Sequence, residues 1–247
     1  ALAFTASGLG GSAPAAGADV ARTDTFIATG QTSGGSPTFS QYNDFNPFRP
    51  GLDRRSSVTH VLEALYYYNV LKDEMIPWLA TGYGYNDDYT AITVNLRPGI
   101  TWSDGEAFDA DDVIYTLDML RQNGQGKSDM VEAAAVARDV KDLVRVNDHT
   151  VRIELTHPDP RWFFTFLTVR FSSQGLHIIP EHVYRTVDPN ELGTFTALDP
   201  GKPGWPVGTG AFRIAEMTPE RIILDRRDDW WGAKLGFREL PVMKRVI

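Results

Sequence analysis

The sequence predicts an α/β or α+β fold with mixed sheets, and three observations carry that expectation. Ile92, Val94 and Leu96 alternate with Thr93 and Asn95, the two-residue period of a half-buried strand. A helical pattern opens at Asp109 and closes before Gly124, with start and stop signals that agree. Strand-like and helix-like segments interleave along the chain without a tandem repeat.

Residues 1–18 carry no charge and consist almost wholly of small or apolar residues, ending Ala16-Gly17-Ala18 after Pro14. They read as the remnant of a secretory signal, which puts the start of the mature protein near Asp19 and outside the cytoplasm. A flexible Gly/Ala linker is the alternative. Thr25 to Gly30 is β-prone and closed by glycine, and Gln31 to Pro37 is a Gly/Ser-rich loop. Asn43 to Gly51 is rich in turn residues and holds two exposed-looking aromatics, Phe45 and Phe48.

Ser56 or Ser57 can cap a helix whose apolar stripe is Val58, Val61, Leu62 and Leu65. The strand containing Ile92, Val94 and Leu96 stops at Arg97-Pro98-Gly99. In the next helix Asp109 is the N-cap, Asp112 follows three residues on, and Arg121 lies in the last turn. At roughly 100° per residue, Val113, Leu117 and Leu120 share one narrow arc with Ile114 at its edge. Tyr115 and Met119 fall on the opposite side, which either packs under a second element or, for Tyr115, looks into a cleft.

Asn147-Asp148 joins two strands, Leu143 to Val146 and Thr150 to Leu155. Arg161 to Leu167 is a short apolar helix, and Phe212 to Ala215 with Arg221 to Leu224 forms a hairpin around Thr218-Pro219. Leu240 to Ile247 reads as a strand ending on an apolar β-branched pair, which suggests a truncated chain.

The 247 residues suit one large domain or two smaller ones. With 24 Lys and Arg against 32 Asp and Glu, the net charge is −8. That balance argues against a fold that grips nucleic acid backbones. No apolar run reaches about 18 residues, the length a spanning helix needs. Zero cysteines exclude disulfides, thiolate metal sites, a Cys nucleophile and lipidation at an N-terminal cysteine.

Catalytic patterns are equally scarce. The five histidines form no HExxH, and His177 and His182, five apart, do not share a helical face. Gly124 to Ser128 imitates the end of a phosphate loop, but Arg121 stands where the first glycine is required. Asp104, Asp109, Asp111 and Asp112 lack calcium-loop spacing, and helix capping accounts for two of them. No pattern calls for an enzyme, a cofactor or a resident metal. Six Trp, nine Tyr and thirteen Phe point to binding through aromatic walls.

Several strings, in order, resemble the family 5 extracellular solute-binding proteins, the peptide-, nickel- and oligosaccharide-binding receptors of ABC importers. They begin with Pro77-Trp78-Leu79-Ala80 and continue with Thr93 to Gly105, which holds LRPGITWSDG. Phe108 to Leu117 (FDADDVIYTL), Ile178 to Tyr184, Val207 to Phe212 and Arg226 to Gly232 follow. The resemblance implies a periplasmic binding protein-like fold of type II, cluster C, whose lobes close over a ligand. It puts lobe one at 19–50 and 170–247, a small middle domain at 51–169, and the large third domain outside this chain.

By the same resemblance Tyr115 occupies the position that faces bound peptide, and the cleft-lining segment nominates Gln41, Tyr42 and Asn43, with Asn46 and Phe48 nearby. Asn46-Pro47-Phe48 looks more like oligosaccharide-binding members. Trp102, Asp104, Gly105, Gly208, Thr209 and Gly210 are read as structural, the glycines permitting turns at positive φ and Asp104 capping backbone N–H groups. The expected protein is a periplasmic monomer that captures a di- or oligopeptide and partners with inner-membrane permease subunits. An oligosaccharide receptor is the alternative within the family. A secreted carbohydrate hydrolase and a sensor or chaperone-like module without a permease are the alternatives from other classes.

Overall fold

The computed structural model describes residues 20–27, 45–49, 58–124, 130–170, 175–195 and 206–247. In chain order the elements are β1 (Thr25–Phe26), α1 (Val58–Val61), β2 (Tyr66–Asn69), β3 (Glu74–Pro77), β4 (Ala80–Tyr85) and β5 (Ala91–Leu96). Then come α2 (Ala110–Asn123), α3 (Ala133–Asp139), β6 (Val140–Asn147), β7 (Thr150–Leu155), α4 (Trp162–Phe166) and β8 (Thr168–Val169). The remainder is α5 (Glu181–Tyr184), β9 (Phe212–Met217), β10 (Ile222–Arg226), α6 (Trp231–Lys234) and β11 (Arg245–Val246).

Three mixed or antiparallel sheets result, so the expected α/β class with mixed sheets is what the chain adopts. One sheet runs β1-β11-β10-β9, another β3-β2-β8, and the third β4-β5-β7-β6. The first joins the two ends of the described chain, with Thr25 beside Arg245 and Phe26 beside Val246 in parallel register. The third is antiparallel throughout and is built from residues 80–155. On its inward face Ile92, Val94, Val151 and Ile153 are fully buried, as their alternation requires. The helices α2 and α3 pack against β6, and α2 also against β7.

The capping box of α2 forms as expected: the Asp109 side chain accepts from the start of the helix and Asp112 accepts the Asp109 N–H. The hairpins around Asn147-Asp148 and Thr218-Pro219 and the helix at 162–166 also form. Three expectations are corrected.

The helix after Ser57 ends at Val61 instead of carrying its stripe to Leu65. Beyond it, Leu65 O accepts the N–H groups of Trp78 and Ala80, and three consecutive tyrosines favour the β2 strand that follows.

Phe45 and Phe48 are 1% exposed, buried rather than exposed. Asn46 draws the turn inward, donating from Nδ2 to Leu192 O at 2.7 Å while its Oδ1 accepts the Phe48 N–H at 3.0 Å.

Gly208 and Gly210 do not adopt positive φ, whereas Gly105 does, at +100°. Their reason is close approach. A Cβ on Gly208 would meet Val61 O at 2.1 Å, and one on Gly210 would meet His60 O at 2.2 Å.

At Met119, on the side of α2 opposite the core stripe, the expected packing under a second element is what forms: the side chain is buried. A second layer covers α2 because both α3 and α5 pack against it.

Candidate functional site

Tyr115 lies in the middle of α2, and its surroundings are set one turn earlier by Asp112. The Asp112 carboxylate is buried and accepts three N–H groups. Its Oδ2 takes those of Asp109 at 3.0 Å and the Trp102 indole at 3.1 Å, and its Oδ1 takes that of Glu181 at 2.9 Å. Burial pushes its pKa up to about 6 against the pull of these donors.

The Glu181 bond fixes the start of α5 beside the start of α2. A second tie comes from Thr116, whose Oγ1 accepts the Ile179 N–H at 3.2 Å. With α5 held there, Arg185 at its end reaches over the Tyr115 ring, 5.8 Å from guanidinium carbon to centroid. Arg185 also pairs with Glu181 one turn back.

Tyr115 is therefore half-buried beneath an ion pair. Its hydroxyl has no hydrogen-bond partner among the described residues. Burial raises the phenol pKa above its ordinary value, opposed by Arg185 and reinforced by Glu181, so the group stays neutral and can both donate and accept.

The Asn46–Phe48 turn is clamped nearby. Leu192 O holds the Asn46 amide, and Phe48 O accepts the Val131 N–H at 2.8 Å ahead of α3. The segment 181–195 thus touches Tyr115 at its start and Asn46 near its end. Tyr184 and Phe195 lock that segment edge to face at 5.1 Å. Asn46 and Phe48 themselves lie in the interior. Gln41, Tyr42 and Asn43 lie outside the described residues.

Asp104 caps its own turn by accepting the Glu106 N–H, and its other oxygen is 2.7 Å from His182 Nε2. Among the described residues no group of three or more His, Asp or Glu could hold a metal ion. No helix among them is long and apolar enough to cross a membrane. Sequence reasoning missed Arg185. Its signal was the four-residue spacing from Glu181, but nothing in the sequence pointed that pair at Tyr115.

The pattern that defines the bacterial extracellular solute-binding proteins, family 5 Middle, matches residues 74–247. The dipeptide-binding protein of Escherichia coli (strain K12) is 27% identical over 207 residues, 77% of this chain and 36% of the relative. Among solved structures, the mannohexaose-bound periplasmic oligopeptide-binding protein of Thermotoga maritima superposes with a TM-score of 0.70 at 22% identity. That match covers 92% of this chain and 38% of that one. The oligopeptide-binding protein of Bacillus subtilis, in complex with a nonapeptide, gives a TM-score of 0.67 at 19% identity, covering 90% of this chain and 38% of that one. The chain thus spans less than two fifths of the length of each of these proteins.

Proposed function

Since the chain belongs to the bacterial extracellular solute-binding proteins, family 5, we propose that it captures a di- or oligopeptide between two lobes and delivers it to the permease of an ABC importer. The observation that carries this reading is Tyr115, whose half-buried ring presents an unengaged, neutral hydroxyl beside the Glu181–Arg185 pair. A peptide offers that triad what it can use: carbonyl and amide groups for the hydroxyl, and charged termini for Arg185 and Glu181.

The proposed division has a lobe at 19–50 and 170–247 and a middle domain at 51–169. It is supported by the sheets: β1, β9, β10 and β11 gather from both parts of the first body, while β2 to β8 all come from the second. Closure of the lobes is driven by ligand contacts made only in the shut state. The protein works as a periplasmic monomer, without catalysis, a cofactor or nucleic acid.

An oligosaccharide ligand is the second reading, favoured by the mannohexaose found in the Thermotoga maritima relative. Calorimetry of this chain, and of one extended to the relatives' length, against di- to pentapeptides and manno-oligosaccharides tests both. Peptide binding by the extended chain, weak or absent in the shorter one, is expected. Binding of sugars alone would replace the first reading with the second, and hydrolysis of any oligosaccharide by the pure protein would overturn both.

A further inference from the structure

A second site lies away from Tyr115. A cavity of about 620 Å³ opens between the β2–β3 hairpin, Thr81 of β4, Arg97 after β5 and Phe237-Arg238 after α6. Its size is that of a small-molecule pocket. Its charge sets it apart in a chain of net charge −8. Lys72, Arg97 and Arg238 line it, against one acid, Glu74.

The two guanidinium groups are organised by Phe237. Arg97 lies over that ring at 4.0 Å and Arg238 over it at 5.4 Å, while the ring itself stacks on Trp231. Arg97 is anchored by donation from Nε to Trp78 O at 2.9 Å, which leaves both of its terminal amino groups available. Among the described residues no carboxylate pairs with Lys72, Arg97 or Arg238, and Glu74 pairs with none of them. Elsewhere such pairing is common: Arg121, Arg138, Arg221, Arg226 and Arg245 each have a carboxylate within 2.7 Å. Three cations against one acid leave an excess of positive charge around the cavity, and the cations lower their energy by holding an anion.

We propose that this cavity binds a small organic or inorganic oxyanion of at least two negative charges, with its oxygens on Lys72, Arg97 and Arg238. Phe237 forms the floor. The ligand chemistry is that of a polycarboxylate or a phosphate compound, since planar guanidinium groups take either in paired hydrogen bonds. The site goes beyond the peptide-binding reading and does not depend on it, because Tyr115 is not part of the cavity lining.

Calorimetry of the 247-residue chain with citrate and with pyrophosphate, at low ionic strength, tests this. Saturable binding of at least one anion is expected, weakened about tenfold or more in Lys72→Ala/Arg238→Ala and by added salt. Both residues are exposed, and an unchanged melting temperature shows that the variant is folded. Lys72→Ala alone gives a smaller loss of the same sign. A preference for citrate assigns carboxylates and a preference for pyrophosphate assigns phosphates. No binding of either anion, or equal affinity in the double variant, overturns the inference. Loss of anion binding in Tyr115→Ala would also overturn it, by placing the anion in the peptide site, whereas failure of peptide binding alone leaves the anion result untouched.

Discussion

The indole N–H of Trp231 donates to Oε2 of Glu63 at 2.9 Å, joining positions 168 apart in the chain. Glu63 is 4% exposed and Trp231 1%. The Trp78 indole nitrogen, the Thr209 hydroxyl and the Arg227 guanidinium also act on this carboxylate. Trp78 Nε1 and Thr209 Oγ1 nevertheless stop short of hydrogen-bond geometry, so Trp231 is its one well-formed donor among the described residues. Arg227 turns its Nη1 to the carbonyls of Gly208 and Gly210. Burial outweighs the attraction and raises the Glu63 pKa to about 7.

That shift sets a pH dependence of stability. The unfolded chain releases the Glu63 proton near the ordinary value of 4.5, while the folded chain keeps it to about 7. Between those values the native state binds more protons, so stability falls as pH rises, by on the order of 3 kcal/mol across the interval. Asp112, raised from 3.8 to about 6, adds a loss of the same sign at lower pH. Urea denaturation at pH 5 and pH 8 should show the wild type losing more stability than Glu63→Gln over that step. An equal loss in both proteins would remove Glu63 as the cause.

Asp112→Ala is expected to destabilise by about 3 kcal/mol or more, because three N–H donors, the buried Trp102 indole and the part-buried Asp109 and Glu181 amides, lose their acceptor together. An exposed N-cap alone would cost about 1 kcal/mol. A shift in the urea midpoint that small, with m unchanged, would mean that the ties to Trp102 and Glu181 contribute little.

Two glycine substitutions separate close approach from conformational freedom. Gly210→Ala presses a methyl group into a backbone carbonyl and should cost about 2 kcal/mol or more. Gly84→Ala in β4 meets nothing within 4 Å and should fall within about 1 kcal/mol of wild type. Similar melting temperatures for the two variants would contradict the proposed contact between α1 and the Gly208–Gly210 turn.

Tyr115→Phe removes only the hydroxyl. In a chain extended to the relatives' length, peptide affinity should drop about fivefold, with stability changed by less than about 0.5 kcal/mol. Tyr115→Ala should weaken binding further while moving the melting temperature little. A large stability loss with affinity intact would make Tyr115 a packing residue.

The parts of the fold legible in the sequence were those set within a few residues. The box between Asp109 and Asp112, the alternation at 92–96 and the turn at Asn147-Asp148 each carry their own local signal. Tyr66 to Tyr68 did not, because β2 takes its pairing from β3 and from β8 a hundred residues later. Gly208 and Gly210 were identified as structural for the wrong reason, since contact with α1 leaves no local trace. At the candidate site, helical periodicity placed Tyr115 off the core stripe. The arginine above it and the third N–H on Asp112 follow from how α5 packs on α2, which periodicity does not encode.

The parallel pairing of β1 with β11 sets an order of events for the nascent chain. Thr25 and Phe26 leave the ribosome more than two hundred residues before Arg245 and Val246, their strand neighbours among the described residues. Until then β1 lacks that partner, whereas the β4-β5-β7-β6 sheet can assemble from a short contiguous stretch. The β1–β11 seam therefore closes after that sheet has formed.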